Sequence, residues 1–373
     1  MKKKILFTGY RMITGGVSKA LLNMLNNLDA EKYDITVILQ VKDGPLLQEI
    51  NKAIKVEGYN LTKCKNKILK KIINLIKYIK LLIETHNKYD FAACYESGYP
   101  LSSILALNAS KNNACWMHTN VVKYMEYSDW FKKTKDVKKR TKKFCKRMFF
   151  EKFKKQIFVS HNAMEAYQEI YPNNKSKGIV CHNIINYKSI LEKSNLDIDM
   201  KKSNKYTFLN VSRHTEHDKR ITMLIEACKM LKEKNDKFLM ICVGDGEAHN
   251  NYVELVKKYK LENNVIFTGL KINPYPYYKI SDCFVLTSRF EGYPVVFNES
   301  LVMNIPIITT DVSDAKKDID KKYGVVVESN PESIYFSMKN FIETNKKIEK
   351  KFDYKKFNND SIKKLEELFE SEI

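Results

Sequence analysis

The sequence predicts an α/β protein made of two successive parallel-sheet domains. Three observations lead there. Strand-like runs alternate with helical stretches from Lys4 onward, a second such series begins at Tyr206, and a polar stretch of mixed charge at residues 187–206 separates them. A chain of 373 residues has room for two domains of ordinary size, and 44% hydrophobic residues supply a core for each.

Lys4 to Thr8 reads as the first strand, followed by a loop with Gly9, Gly15 and Gly16. The helix from Val17 to Leu28 repeats Leu21, Leu22, Met24, Leu25 and Leu28 at helical spacing. A glycine-bearing loop at a helix start is an anion cradle, because the first amides of a helix lack partners. The loop lacks the third glycine of a dinucleotide fingerprint. Asp34 to Leu39, Phe91 to Tyr95, Ala114 to Met117 and Gln156 to Ser160 continue the strand series. His118 stands just past one of them, on the edge where open α/β sheets take their ligands. His182, in Ile179 to Asn183, reads as structural.

The second series starts with Tyr206 to Val211, and Arg213 and Lys219 follow at its carboxyl end. A guanidinium fork and a compact ammonium together suit a diphosphate. Phe238 to Val243 runs into Gly244-Asp245-Gly246, Asn264 to Gly269 is the next strand, and Cys283 to Thr287 leads to Glu291. Ser288 to Asp311, SRFEGYPVVFNESLVMNIPIITTD, reads as loop, helix from Val295 to Met303 and strand from Pro306 to Thr310. Glu291 falls before the helix. Glu299 falls inside it, on one face with Val295, Val302 and Met303. A carboxylate on an apolar face needs a partner: a neighbouring backbone group or lysine, or a ligand in a cleft shared with Glu291. Tyr323 to Val327 is a last strand, and a helical pattern closes the chain at Ile362 to Phe369.

The formal charge of +21 calls for an anionic partner. Two segments concentrate it. Lys63–Tyr89 reads as an amphipathic helix mixing lysines with Ile68, Leu69, Ile72, Ile73, Leu75, Ile76, Ile79 and Leu82; Phe131–Lys155 sets thirteen Lys and Arg among Phe131, Phe144, Met148, Phe149, Phe150 and Phe153. Cations beside apolar and aromatic residues suit an anionic membrane surface, where each contributes about 1 kcal/mol. No nucleic-acid-binding motif accompanies them, so membrane is preferred to nucleic acid. No stretch is long and apolar enough for a transmembrane helix. The eight cysteines are scattered singly and read as reduced core residues of a cytoplasmic protein. Two Asp-x-Asp triplets, Asp197/Asp199 and Asp318/Asp320, lie in polar sequence and read as chance, so neither metal nor other cofactor is expected.

Glu291 and Glu299, with Phe-Glu-Gly-Tyr-Pro, Asn-Ile-Pro-Ile-Ile and Thr-Thr-Asp around them, resemble the Glu-x7-Glu signature of retaining glycosyltransferases of family 4, as found in bacterial surface polysaccharide enzymes. VSRHTEHDKRITMLIEA resembles that family's Arg and Lys motif, and Asn273-Pro-Tyr-Pro-Tyr277 a variant among polysaccharide transferases. The resemblance is close over residues 205–330 and holds only in outline before them. It implies the GT-B fold: two Rossmann-like domains, an acceptor domain at 1–187 rejoined by a helix at 355–373 and a donor domain at 188–354, with a cleft between them. It implies transfer of a sugar from a nucleoside diphosphate, a UDP-sugar, to a hydroxyl of a glycan or lipid-linked acceptor, with the enzyme peripheral at the inner face of the cell membrane. By the same resemblance Arg213, Lys219, Gly15 and Gly16 meet the diphosphate, Glu291 and His118 the sugar, and Glu299 the ribose. Leu270 and Lys271 lie where the family holds the base, Gly244 stands at the ligand edge, and amides of Gly292, Tyr293, Pro294 and Val295 lie by the sugar or phosphates. Gly292 and Pro294 mark a tight turn, with Pro294 well placed as the first residue of the following helix. The rivals are a nicotinamide oxidoreductase, short of a complete fingerprint, and a basic nucleic-acid-binding protein, which leaves both glutamates unused.

Overall fold

β1 (Lys3–Gly9) carries Ile5, Leu6 and Phe7 at 0% exposure, a burial that strands reach inside a parallel sheet covered on both faces. The structure, a computed structural model, describes residues 1–60, 66–127, 135–234 and 237–371, and divides into Met1–Ile185 with Lys355–Ile373, and Asn186–Tyr354.

In the first unit β1 is followed by α1 (Gly16–Asn27), β2 (Tyr33–Leu39), β3 (Lys55–Gly58), α2 (Lys67–Thr85), β4 (Phe91–Cys94), α3 (Pro100–Ala109), β5 (Asn113–Met117), α4 (Val121–Tyr127), α5 (Val137–Arg147), β6 (Lys155–Phe158), α6 (His161–Ile170) and β7 (Gly178–Val180). The strands pair in parallel in the order β3-β2-β1-β4-β5-β6-β7. β1 and β4 are neighbours with divergent connections, which makes a switch point at their carboxyl ends. Residues 10–16 follow β1 there, and residues 95–99 follow β4.

The second unit runs α7 (Tyr187–Lys193), β8 (Tyr206–Val211), α8 (Glu216–Lys219), α9 (Ile221–Glu233), β9 (Phe238–Val243), α10 (His249–Lys258), β10 (Val265–Gly269), α11 (Tyr275–Lys279), β11 (Cys283–Leu286), α12 (Val295–Val302), β12 (Ile307–Thr310), α13 (Ala315–Asp318), β13 (Gly324–Val327) and α14 (Pro331–Thr344). Its parallel sheet has the order β10-β9-β8-β11-β12-β13, the arrangement of the first six strands of the other unit. Alternate residues of β9 enter different cores: Phe238, Met240 and Cys242 pack with Phe208 of β8, while Leu239, Ile241 and Val243 pack with Leu209.

α15 (Tyr354–Glu370) returns to the first unit, where Phe369 packs on Phe7, Tyr33 and Phe91 with ring centroids 5.0–6.2 Å apart. His182 Nδ1 donates to the Val159 carbonyl at 2.9 Å and its ring stacks on Phe357. The seven described cysteines are buried and free; Cys64 lies outside the described residues.

Two sequence expectations need correction. β3 and β7 were not foreseen: β3 reads Lys-Val-Glu-Gly at a sheet edge and offers no apolar run. In the basic segment Phe131–Lys155, Phe144, Met148, Phe150 and Phe153 do not face outward. They are 7%, 1%, 0% and 0% exposed, since Phe144 and Met148 share the inward face of α5 with Arg140, Thr141 and Cys145. On α5 what remains outward are Lys138, Lys139, Lys142, Lys143, Lys146 and Arg147, and beyond it Lys135, Lys152 and Lys154 are exposed. Residues 131–134, and residues 63–65 of the other segment, lie outside the described residues.

Candidate functional site

In the second unit the loops after β8 and β11 stand side by side because the two strands are neighbours. β8 leads through Arg213 into α8, whose last residue is Lys219; β11 leads through Thr287 and Ser288 to Glu291. The loops are tied together by backbone acceptors. Thr287 Oγ1 donates to the Lys219 carbonyl at 2.7 Å, the Arg220 guanidinium to the Ser288 carbonyl at 3.0 Å, and the Arg289 amide to the Asp218 carbonyl at 2.8 Å. Thr310 Oγ1 holds the same Ser288 carbonyl at 2.6 Å from β12.

This frame brings Lys219 Nζ onto the Glu291 carboxylate, which also accepts from Ser288 Oγ at 2.7 Å. Both side chains of the pair keep about a fifth of their surface in contact with solvent (21% and 17%), so a ligand can reach them. Arg213 is exposed and forms no ion pair among the described residues. Sequence reasoning named all three; the structure shows that Lys219 and Glu291 are partners.

Glu299 lies inside α12 at 2% exposure, and Tyr278 of α11 donates to its Oε2 at 2.9 Å. The partner that an acid on an apolar face requires is thus a tyrosine hydroxyl. Burial and the nearby carboxylate push the Tyr278 pKa far up, which keeps its proton in place as a donor. Tyr293 and Pro294 are buried, the Tyr293 ring against Phe297. Leu270 is 63% exposed and Lys271 is exposed, both just past β10. Gly244 has φ +147°, and a Cβ there would lie 1.9 Å from the Ser212 carbonyl oxygen. Only glycine lets the end of β9 close on the end of β8.

Gly15, Gly16 and His118 belong to the first unit. Gly15 precedes α1 with extended backbone, and a Cβ there would meet nothing within 4 Å, so its missing side chain leaves open space before the helix start. His118 Nε2 faces the Tyr95 carbonyl at 2.9 Å, which fixes Nε2 as the donor and Nδ1 as an acceptor. Burial lowers its pKa to about 4, so the ring is neutral at ordinary pH. Sequence reasoning missed Glu96, which lies beside this edge, accepts the Tyr10 amide at 3.0 Å and is pushed by burial to about 7.

Within the second unit His214, Asp245 and His249 have metal-ligand character, bringing their ligand atoms within 4.8 Å of one another. As it stands the two Nδ1 atoms are 2.9 Å apart, a hydrogen bond between stacked rings, with Asp245 4.0 Å from His249. Asp245 and His249 are four residues apart, but His214 joins them from 35 residues away, a link that no local pattern announces.

Residues 192–358 match the family model described as Glycosyl transferases group 1. The match spans nearly all of the second unit. The chain is 32% identical over 169 residues to a glycosyltransferase of Methanocaldococcus jannaschii, covering 44% of this chain and 39% of that protein. It is 29% identical over 170 residues to the Campylobacter jejuni N-acetylgalactosamine-N,N'-diacetylbacillosaminyl-diphospho-undecaprenol 4-alpha-N-acetylgalactosaminyltransferase, 45% of each chain. The chain thus spans less than half the length of these two relatives. A glycosyltransferase of Haemophilus influenzae matches more widely, 27% identical over 85% of this chain and 83% of its own. Two solved structures share the fold: Staphylococcus aureus TarM (TM-score 0.76, 13% identity, 100% and 99% of the chains) and Anabaena HepE in complex with UDP-glucose (TM-score 0.75, 16% identity, 98% and 99%). The two Rossmann-like units have the fold of these structures, GT-B. Neither the oxidoreductase nor the nucleic-acid reading gains support from these matches.

Proposed function

We propose that the chain is a retaining glycosyltransferase of family 4, acting in cell-surface polysaccharide biosynthesis with a UDP-sugar donor and a lipid-linked or glycan hydroxyl as acceptor. The observation that carries the reading is the Lys219–Glu291 pair at the switch point of the second sheet, with Arg213 exposed beside β8. Two cations at a sheet edge, one fork-shaped and one compact, match a leaving nucleoside diphosphate and lower the barrier by neutralising charge as it develops. Lys219 is held in place by Glu291, whose second task is to orient the sugar. Neutral His118, with Nδ1 as acceptor, meets a sugar hydroxyl; the Gly15–Gly16 amides meet the diphosphate; Glu299 takes the ribose hydroxyls, and backbone at Leu270 and Lys271 the base. The acceptor hydroxyl attacks the anomeric carbon on the face the diphosphate leaves, and a phosphate oxygen takes its proton. No metal takes part in this scheme.

Support for UDP comes from HepE, solved with UDP-glucose, and for a lipid-linked acceptor from the Campylobacter relative. The basic surface supports work at an anionic membrane, peripheral on its cytoplasmic face. Thermal unfolding with UDP, GDP, ADP, CDP and NAD, on wild type and Glu299→Ala, tests the donor site. Stabilisation by UDP that the variant loses is expected. Stabilisation by another diphosphate changes the donor, and stabilisation by NAD alone overturns the reading. Nuclear magnetic resonance of the product's anomeric centre tests retention.

A further inference from the structure

α2 carries more apolar residues than its own unit covers. Tyr78 and Thr85 are buried, and Leu81 and Leu82 pack partly on the core. On the other side Ile68, Leu69, Ile72, Leu75, Ile76, Ile79 and Ile83 are 47–74% exposed. Stepping about 100° per residue places all seven in one stripe about 120° wide, running the length of a helix of about 28 Å. The stripe is wholly aliphatic. Lys71 borders one edge and Lys80 the other, and Lys67, Lys70 and Lys77 stand further round, against the single acid Glu84. The start is firm, since Asn66 caps the Ile68 and Leu69 amides at 3.0 and 3.1 Å.

We infer that α2 is the membrane-docking element of this protein, lying in the plane of an anionic bilayer with its aliphatic stripe among the acyl chains and its lysines at the headgroups. This sharpens the membrane part of the function proposed above and rests on it for its biological purpose. Charge complementarity decides the occupant. A second copy on the same stripe would face the five lysines of one α2 with the five of the other, whereas anionic headgroups neutralise both edges. Crossing the bilayer is excluded for a helix with six ionised side chains; no described helix is long and apolar enough to span. An in-plane helix with a large apolar face and a lysine-rich polar face binds in this way. The second basic segment does something different. With its aromatic residues in the core, α5 offers six outward cations and no insertion, and so adds long-range attraction alone.

Sedimentation of the full-length protein with vesicles of phosphatidylglycerol and phosphatidylcholine, against phosphatidylcholine alone, tests the inference. At least tenfold tighter binding to the anionic vesicles is expected. Ile72→Ser with Ile76→Ser, both on the exposed stripe, should weaken it at least tenfold, and Lys142→Glu with Lys146→Glu on α5 only several-fold, with a shallower salt dependence. A Leu75→Trp variant should show an additional blue-shifted emission on the vesicles. The inference is overturned if the serine pair leaves vesicle binding intact, if binding ignores lipid charge, or if light scattering shows a dimer that the serine pair dissociates. Stabilisation by UDP, measured on the same samples, reads the donor site separately: its absence would sink the donor assignment and leave the docking result to be judged alone.

Discussion

At the switch point of the first sheet Glu96 accepts the Tyr10 amide, His118 donates to the Tyr95 carbonyl, and Tyr10 and Tyr99 stack 4.3 Å apart. At the switch point of the second, Lys219 meets Glu291 and Arg213 stands exposed. The strand order is shared, so topology presents loops in equivalent places in each unit. Burial and charge then differentiate them. The first edge holds a histidine kept neutral and a carboxyl whose pKa is raised to about 7, beside the Arg11–Asp43 ion pair; the second holds Lys219 paired with Glu291 and Arg213 open to solvent. Buried neutral hydrogen-bonding groups suit sugar hydroxyls, and exposed cations suit a diphosphate.

The division of labour is broken first at Lys219. Lys219→Ala should lower kcat by about 10²–10³, the loss expected when one donor to a developing oxyanion is removed. Steady-state rates with a UDP-sugar measure it, and a loss below about tenfold would move the diphosphate elsewhere. Gly244→Ala is next in size. Its φ of +147° and the Ser212 carbonyl leave no room for a methyl, so a loss of about 2–3 kcal/mol is expected in urea denaturation. Gly15→Ala in the first unit should change stability by less than about 0.5 kcal/mol, because nothing lies within 4 Å, and should act on UDP affinity instead. His118→Ala should cost about tenfold in kcat/KM, one neutral hydrogen bond to the sugar. Equal stability losses from both glycine variants would erase the contrast between the edges.

The second unit was far more legible in the sequence than the first. β9 and the Gly244 turn, and the order of Lys219, Glu291 and Glu299, follow from local patterns: an apolar run, a turn residue, a polar residue just past a strand. Partnerships across the chain do not. Tyr278 reaches Glu299 from 21 residues away, and His214 reaches His249 across 35, with no periodicity to announce either. The two basic segments show the other failure. Lysines beside apolar residues look alike in α2 and α5, but α5 has only enough apolar residues for its inward face, while α2 has enough for two faces and one remains outside. The count of apolar residues per helical face, rather than their mixture with lysines, separates a packed helix from a docking one.

The finest contrast between the edges is in their response to pH. In the first unit Glu96 has its pKa raised from 4.5 to about 7 by burial, with the Tyr10 amide opposing. The folded state therefore keeps a proton that the unfolded chain releases, and stability is lost as pH rises from about 4.5 to about 7. His118 has the opposite sign. Its pKa falls from 6.5 to about 4, the unfolded chain binds the proton first, and stability is lost as pH falls through that window. The two contributions offset each other in the first unit. In the second, His214 is lowered to about 4 by burial and by His249, and so adds to the loss in acid. Glu96→Gln should remove the alkaline loss alone, raising stability relative to wild type by about 1 kcal/mol at pH 8 compared with pH 5, less than the full shift implies because the carboxyl keeps some contact with water. Urea denaturation of both proteins at the two pH values measures it. A variant whose stability parallels wild type at both would show that Glu96 titrates normally, and the first edge would then carry a charged carboxylate at neutral pH beside the neutral His118.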